Sequence, residues 1–240
     1  MSRNSRIVII LIATLLLSAG CKNSLPKQAP TTLVFMIGTP SSGKTSIAKA
    51  LQKQLTLPYL YAPTDTFVAM LPSSYLPALP REGERHNKQG IYFVKETGGS
   101  KPCTSVKLGP LAQKLTTGII AAIAGMGNAG LNVLVEGVIW EKTILEEAAR
   151  GWKDFRVFFI HINPSLEEAE RRESQRKDWF TGGGRVEGQV CGAHKAVQAF
   201  GAIYDLELDT THMTPEQGAA SIIAYMEANP TPTAFRKLAS

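Results

Sequence analysis

Residues Gly38-Thr39-Pro40-Ser41-Ser42-Gly43-Lys44-Thr45 fit the pattern G-x-x-x-x-G-K-[ST] at every fixed position. That spacing makes a phosphate cradle. The glycines let the backbone curl so that its N–H groups point inward at phosphate oxygens. A helix starting at Lys44 adds the positive end of its dipole. Lys44 reaches the β- and γ-phosphates, and the Thr45 hydroxyl suits a magnesium ion. Gly38, Thr39, Pro40, Ser41, Ser42, Gly43, Lys44, Thr45 and Ser46 are therefore the candidate ATP-binding residues, with Thr45 also a metal ligand.

Other chemistry-bearing residues are scattered along the chain. Glu136 ends an apolar run, where a carboxylate can hold magnesium directly or through water, or can cap a helix or face solvent. Asp65 follows a second short strand, where it can take a proton from an acceptor hydroxyl or cap the segment Thr66–Leu71. Arg172, Arg176 and Arg185 flank the triglycine Gly182–Gly184. Arginines on a mobile flap can neutralise charge as a phosphoryl group moves. The alternative is a solvated helix face paired with Glu168 and Glu173. His161 reads as a packed core residue, and His212 lies in the loop after the last strand. Cys103 and Cys191 have no metal-site spacing; two free thiols are expected, with pairing in an oxidising compartment as the alternative.

The elements that must position these groups follow from hydrophobic period and punctuation. Leu33–Ile37 is a short continuous apolar run, as in a strand buried on both faces of a parallel sheet. A helix over Lys44–Leu55 puts Ile47, Ala48, Leu51 and Leu55 on one face. Pro58–Tyr61, Val133–Val135 and Arg156–Ile162 read as further strands, and Tyr204–Asp209 as an edge strand with one wet face. Helices are expected over Pro110–Gly125, Lys142–Arg150, from Asn163 as N-cap with Pro164 at the first position, over Gly188–Gly201, and from the capping box Thr214-Pro215-Glu216-Gln217 to Ala228. Strands alternating with helices imply right-handed crossovers and a parallel sheet, with ligands at the carboxyl ends of the strands. The stretch Leu71–Lys107 is irregular apart from Ile91–Val94. It reads as a substrate-covering insert with a small hairpin.

Length and composition bound the rest. A chain of 240 residues with 44% hydrophobic and 19% charged residues is an ordinary α/β-sized domain, not a disordered or fibrous one. The net charge of +6 invites a nucleic-acid reading. However, Arg3, Arg6, Lys22 and Lys27 sit in the first thirty residues with no acid beside them, so the remainder is nearly balanced and no nucleic-acid partner is expected. Residues 1–21 combine a basic start, an apolar run and Leu17-Ser18-Ala19-Gly20-Cys21. The run is short for a span, and the pattern resembles a bacterial lipoprotein signal in which Cys21 is lipidated; an uncleaved anchor is the alternative. Either places the domain on the periplasmic or outer face, with the membrane as partner. Residues 22–31 form a tether, 32–228 the catalytic-type domain, and 229–240 a loose tail.

The order of these pieces resembles the chloramphenicol phosphotransferase family of small P-loop kinases. Tyr204-Asp205-Leu206-Glu207-Leu208-Asp209-Thr210-Thr211-His212 is similar to that family's Y-D-x-E-x-D-T-T-H ending. Arg172-Glu173-Ser174-Gln175-Arg176 is similar to its R-E-[ST]-x-R flap, and Arg185-Val186 with Gly188 to the R-V-x-G that follows. Gly90-Ile91-Tyr92-Phe93 and Gly109-Pro110 fit its middle region. The resemblance spans about residues 32–228. It implies a five-stranded parallel sheet sandwiched by helices, an ATP and magnesium site, Asp65 as base, and a small-molecule alcohol acceptor under the insert. The family often carries two aspartates where Glu136-Gly137 stands here, and its insert and flap are shorter. Two other functions are compatible: a zeta-toxin-like kinase of a nucleotide sugar, and a membrane-tethered nucleotide-binding protein without catalysis. The leader sits uneasily with an ATP site, unless the start codon is mis-called and the protein is cytoplasmic.

Overall fold

The computed structural model describes residues 30–76, 88–97, 99, 101–176 and 186–238. The leader through Ala29, the upstream part of the insert and the flap with Gly182–Gly184 and Arg185 lie outside the described residues.

Strand β1 (Thr32–Ile37) is buried along its whole length. It lies between β5 (Asn132–Gly137) and β6 (Arg156–Ile162), parallel to both, with Phe35 opposite Val135 on one side and Phe159 on the other. β2 (Tyr59–Pro63) and β7 (Leu206–Leu208) complete a five-stranded parallel sheet in the order β2-β5-β1-β6-β7. The position of β1 explains its continuous apolar run. Leu33, Phe35 and Ile37 point to one face, Val34 and Met36 to the other, and both faces carry helices.

On the first face, α1 (Lys44–Gln54) and α7 (Pro215–Ala228) pack Ile47, Ala48, Leu51, Ala219 and Ile222 over Val34, Met36, Leu134 and Phe158. On the second, α3 (Pro110–Asn128), α4 (Lys142–Gly151) and α6 (Gln189–Phe200) cover Phe35, Val135 and Phe159 with Ile119, Ile123, Leu145 and Val197. Each such side chain contributes about 1.5–3 kcal/mol on burial. The hairpin β3 (Ile91–Lys95) and β4 (Thr104–Leu108) forms a small satellite core, with Ile91, Phe93 and Val106 against Ala112. Two further helices are α2 (Thr64–Val68), which carries Asp65, and α5 (Leu166–Gln175), which carries Arg172.

Most element expectations hold within a residue or two, and the capping box at Thr214 is present in full. Four do not hold. The helix expected to start at Asn163 starts at Leu166, with Ser165 as the cap accepting from Glu168 N–H. Asn163 is taken instead by the sheet edge, its N–H donating to Leu208 O and its amide to Glu207. Asp65 is not an N-cap; Pro63 holds that position.

Cys103 and Cys191 are not free thiols but a disulfide, joining β4's approach to α6 across 88 residues of sequence. Close helix-to-strand approach makes it possible: a Cβ on Gly192 would lie 2.2 Å from Thr104 O, so only glycine fits beside Cys191. The tail expected to be loose after Pro230 carries α8 (Ala234–Lys237) and buries Phe235, packed edge-on to Phe35 and stacked on Trp152. Asp205 accepts hydrogen bonds from the N–H groups of Thr233 and Ala234 and ties the tail to the sheet.

Candidate active site

The phosphate-loop sequence sits where its flanks require, between the carboxyl end of β1 and α1. Gly43 adopts φ 101° and Ser41 φ 63°, the left-handed conformations that turn successive N–H groups to one side. Lys44 is buried. Its Nζ donates to Gly38 O at 3.1 Å, Thr39 O at 2.7 Å and Ser42 Oγ at 3.3 Å, so the ammonium is held against the loop.

Glu136, at the end of β5, is also buried. Its Oε1 accepts from Thr45 Oγ1 at 2.8 Å and from the Tyr61 hydroxyl at 2.7 Å. The two predicted metal-site residues are thus in direct contact, as hard oxygen donors of the kind magnesium takes. Tyr61 is a member of the site that the sequence reading missed. Burial first, and the hydrogen bond to the Glu136 carboxylate second, push its phenol well above the ordinary value, so it remains a donor. Its only sequence signal is its place in β2, whose register sets Pro63 opposite Glu136. Where the family often carries a second acid, this chain has Gly137. A Cβ on Gly137 would lie 2.4 Å from the Thr64 hydroxyl, so Thr64 occupies the space an aspartate would need.

Arg172 reaches from α5 across the loop. Its Nη2 donates to Thr210 O at 2.8 Å and Thr211 O at 3.2 Å, and its Nη1 lies 3.5 Å from Ser42 O. Thr210 Oγ1 donates to the same Ser42 carbonyl at 2.9 Å. One guanidinium therefore ties the phosphate loop to the loop after β7. Glu168 orients it, accepting from Arg172 Nε at 2.7 Å. Arg171 and Arg172 together hold the Glu168 carboxyl down at about 2. Glu173, the other expected ion-pair partner, is buried and accepts from Val190 N–H in the first turn of α6. His161 is buried, stacked on Tyr204 and bonded through Nδ1 to Glu207, as the core reading expected. His212 lies in the loop after β7 and is exposed.

Asp65, Lys44, Thr45, Glu136, Arg172 and Arg176 all line one cavity of about 590 Å³. Pro40, Ser41, Ser42, Gly43 and Ser46 line it too, whereas Gly38 and Thr39 shape the loop behind it. Its far wall is apolar: Ile91 and Phe93 of β3, with Val106 and Leu108 opposite them on β4. Arg185 lies outside the described residues. The cavity thus joins a phosphate cradle, a carboxylate and an apolar wall.

Comparison with known proteins agrees with this architecture. A protein of Mycobacterium tuberculosis H37Rv, provisionally assigned as an O-phosphotransferase, is 31% identical over 206 residues, covering 86% of this chain and 87% of its own. Among solved structures, a sugar kinase from Janibacter sp. HTCC2649 superposes with a TM-score of 0.53 at 16% identity, over 88% of this chain and 99% of that one. The Mycobacterium tuberculosis APS kinase CysC, in complex with AMPPNP and APS, superposes with a TM-score of 0.51 at 14% identity, over 82% and 98%. At those identities the likeness shows the fold, that of a P-loop kinase. The chloramphenicol phosphotransferase-like protein family matches residues 31–227, and the chain belongs to that family.

Proposed function

We propose that this kinase-type phosphotransferase moves the γ-phosphoryl group of ATP to a hydroxyl of a small molecule, either a chloramphenicol-like alcohol or another alcohol of that size. The observation that carries the reading is the shared cavity, in which Asp65 and the phosphate loop face one space with an apolar wall. The loop amides and Lys44 hold the phosphates. Lys44, now on loop carbonyls, has the reach to turn to phosphate oxygens. Thr45 and Glu136 are the residues that would hold magnesium, which when bound neutralises phosphate charge. Tyr61 orients Glu136 for this. Asp65 accepts the acceptor's hydroxyl proton as that oxygen bonds to phosphorus and the bond to the ADP oxygen breaks. Arg172 and Arg176 balance charge on the moving group; Arg185, on the flap, has the same role.

Replacing Asp65→Asn tests the assignment. Transfer should fall by about 10²–10⁴-fold, the usual contribution of a positioned base, while ATP affinity by calorimetry stays within about twofold. Unchanged transfer removes Asp65 from the mechanism. The acceptor panel is chloramphenicol, related amphenicols, aminoglycosides and uridine-diphosphate sugars, read by mass spectrometry with Lys44→Ala as control. Product only from the sugars would favour the nucleotide-sugar reading. No product with ATP bound would favour a tethered binding protein.

We also infer that the domain works outside the reducing cytoplasm, anchored through residues 1–21 or lipidated Cys21. The Cys103–Cys191 disulfide supports an oxidising compartment.

A further inference from the structure

Gln189 is the first residue of α6, and only 4% of its surface is exposed. Its side-chain Nε2 is enclosed and has no hydrogen-bond partner among the described residues, and the residue itself lines the cavity shared by Asp65 and the phosphate loop. A buried amide nitrogen without an acceptor is destabilising and rare in native proteins. The backbone around it is fixed on every side. Gly188 stands at φ 82°, where its Cβ would lie 2.5 Å from Pro102 O. Thr104 N–H donates to Gly188 O at 2.9 Å, and Thr104 Oγ1 to Glu187 O at 2.8 Å. Val190 N–H is held by Glu173, and Cys191 is bonded to Cys103. The backbone that carries the amide is therefore held in place, and the side chain is left to turn about its own torsions. The hairpin side chains that share the cavity with it, Phe93 and Val106 among them, are apolar and carry no acceptor.

We propose that Gln189 is an acceptor-recognition residue: its Nε2 donates to an oxygen of the phosphoryl acceptor other than the reacting hydroxyl. The inference rests on the kinase reading and narrows it. The acceptor is an alcohol with an apolar body, which lies on the Ile91–Phe93–Val106–Leu108 wall, and a second, uncharged oxygen such as a carbonyl, ether, nitro or hydroxyl group. A carboxylate is disfavoured there, because one neutral donor beside apolar side chains does not replace its hydration.

The test compares the full chain with Gln189→Met, which keeps the size and removes the donor. The probes are chloramphenicol and thiamphenicol, which carry second oxygens, and benzyl alcohol, which does not. For a probe with the second oxygen, the variant should raise KM by about tenfold, the loss of one buried hydrogen bond. The KM for ATP should hold, and so should the KM for benzyl alcohol where it is turned over. The melting temperature should not fall, because no internal partner is lost; a structural glutamine would lower it. Equal KM values in both proteins overturn the assignment while leaving the kinase standing. A lower melting temperature with equal KM makes Gln189 structural. If the wild type binds ATP but phosphorylates no probe, the proposed acceptor class is wrong. If it binds no ATP, the kinase reading itself fails, and Gln189 loses its proposed ligand with it.

Discussion

His161 shows how much a single residue's environment decides. It lies in β6, opposite Ile37 at the end of β1. Burial holds its pKa below the ordinary 6.5, although Glu207 at 2.9 Å pulls the other way. The neutral ring is therefore favoured by folding. The unfolded chain takes up the proton more readily, so stability falls as pH drops through about 6.5. Glu207, whose carboxyl is held below its ordinary value chiefly by His161, loses its contribution on further acidification below about 4.5. The melting temperature should decline between pH 7 and 5, and His161→Gln should flatten that decline. A wild-type melting temperature flat across that window would contradict the assignment.

At the scale of elements, the hairpin β3–β4 and helix α6 work as one wall. The disulfide, the hydrogen bonds from Thr104 to Gly188 O and Glu187 O, and the close approach at Gly192 join them. The hairpin itself touches the rest of the domain through a small satellite core. Reduction, or the double change Cys103→Ser with Cys191→Ser, should lower unfolding free energy by about 2–4 kcal/mol, as expected for a cross-link closing a long loop. The acceptor KM should rise severalfold while the ATP KM holds, because the phosphate loop stands on β1 and α1. An equal rise in both would mean that the wall does not move independently of the loop.

For the whole molecule, the last turn matters more than its position suggests. Phe235 lies among Phe35, Trp152 and Phe159 at the centre of the larger core. Phe235→Ala should cost about 3–5 kcal/mol, read by denaturant unfolding. A loss below about 1 kcal/mol would mean that the tail is dispensable, as its composition alone implied. Among the described residues no helix is long and apolar enough to cross a membrane. The anchorage proposed above is through the leader. Fusing residues 1–30 to a phosphatase active only outside the cytoplasm should give an active reporter, whereas an inactive fusion would return the domain to the cytoplasm.

What could be read from the sequence alone is what short-range physics controls. The phosphate loop is contiguous, so its glycines, Lys44 and Thr45 declare themselves by spacing, and the flanking apolar run and amphipathic helix declare the parallel sheet. Glu136 and Asp65 were legible as carboxylates at strand ends, because ligands gather there in such sheets. The remainder depended on which distant segments meet. Tyr61 joins Glu136 only because β2 pairs with β5. Thr64 fills the space beside Gly137 only because α2 packs against the end of β5. Cys103 and Cys191 pair only because α6 packs onto β4 without a side chain at Gly192. The cap at Ser165, the buried tail and the unpartnered amide of Gln189 are likewise products of tertiary contact. No local pattern encodes them, since each is settled by a partner far away in the chain.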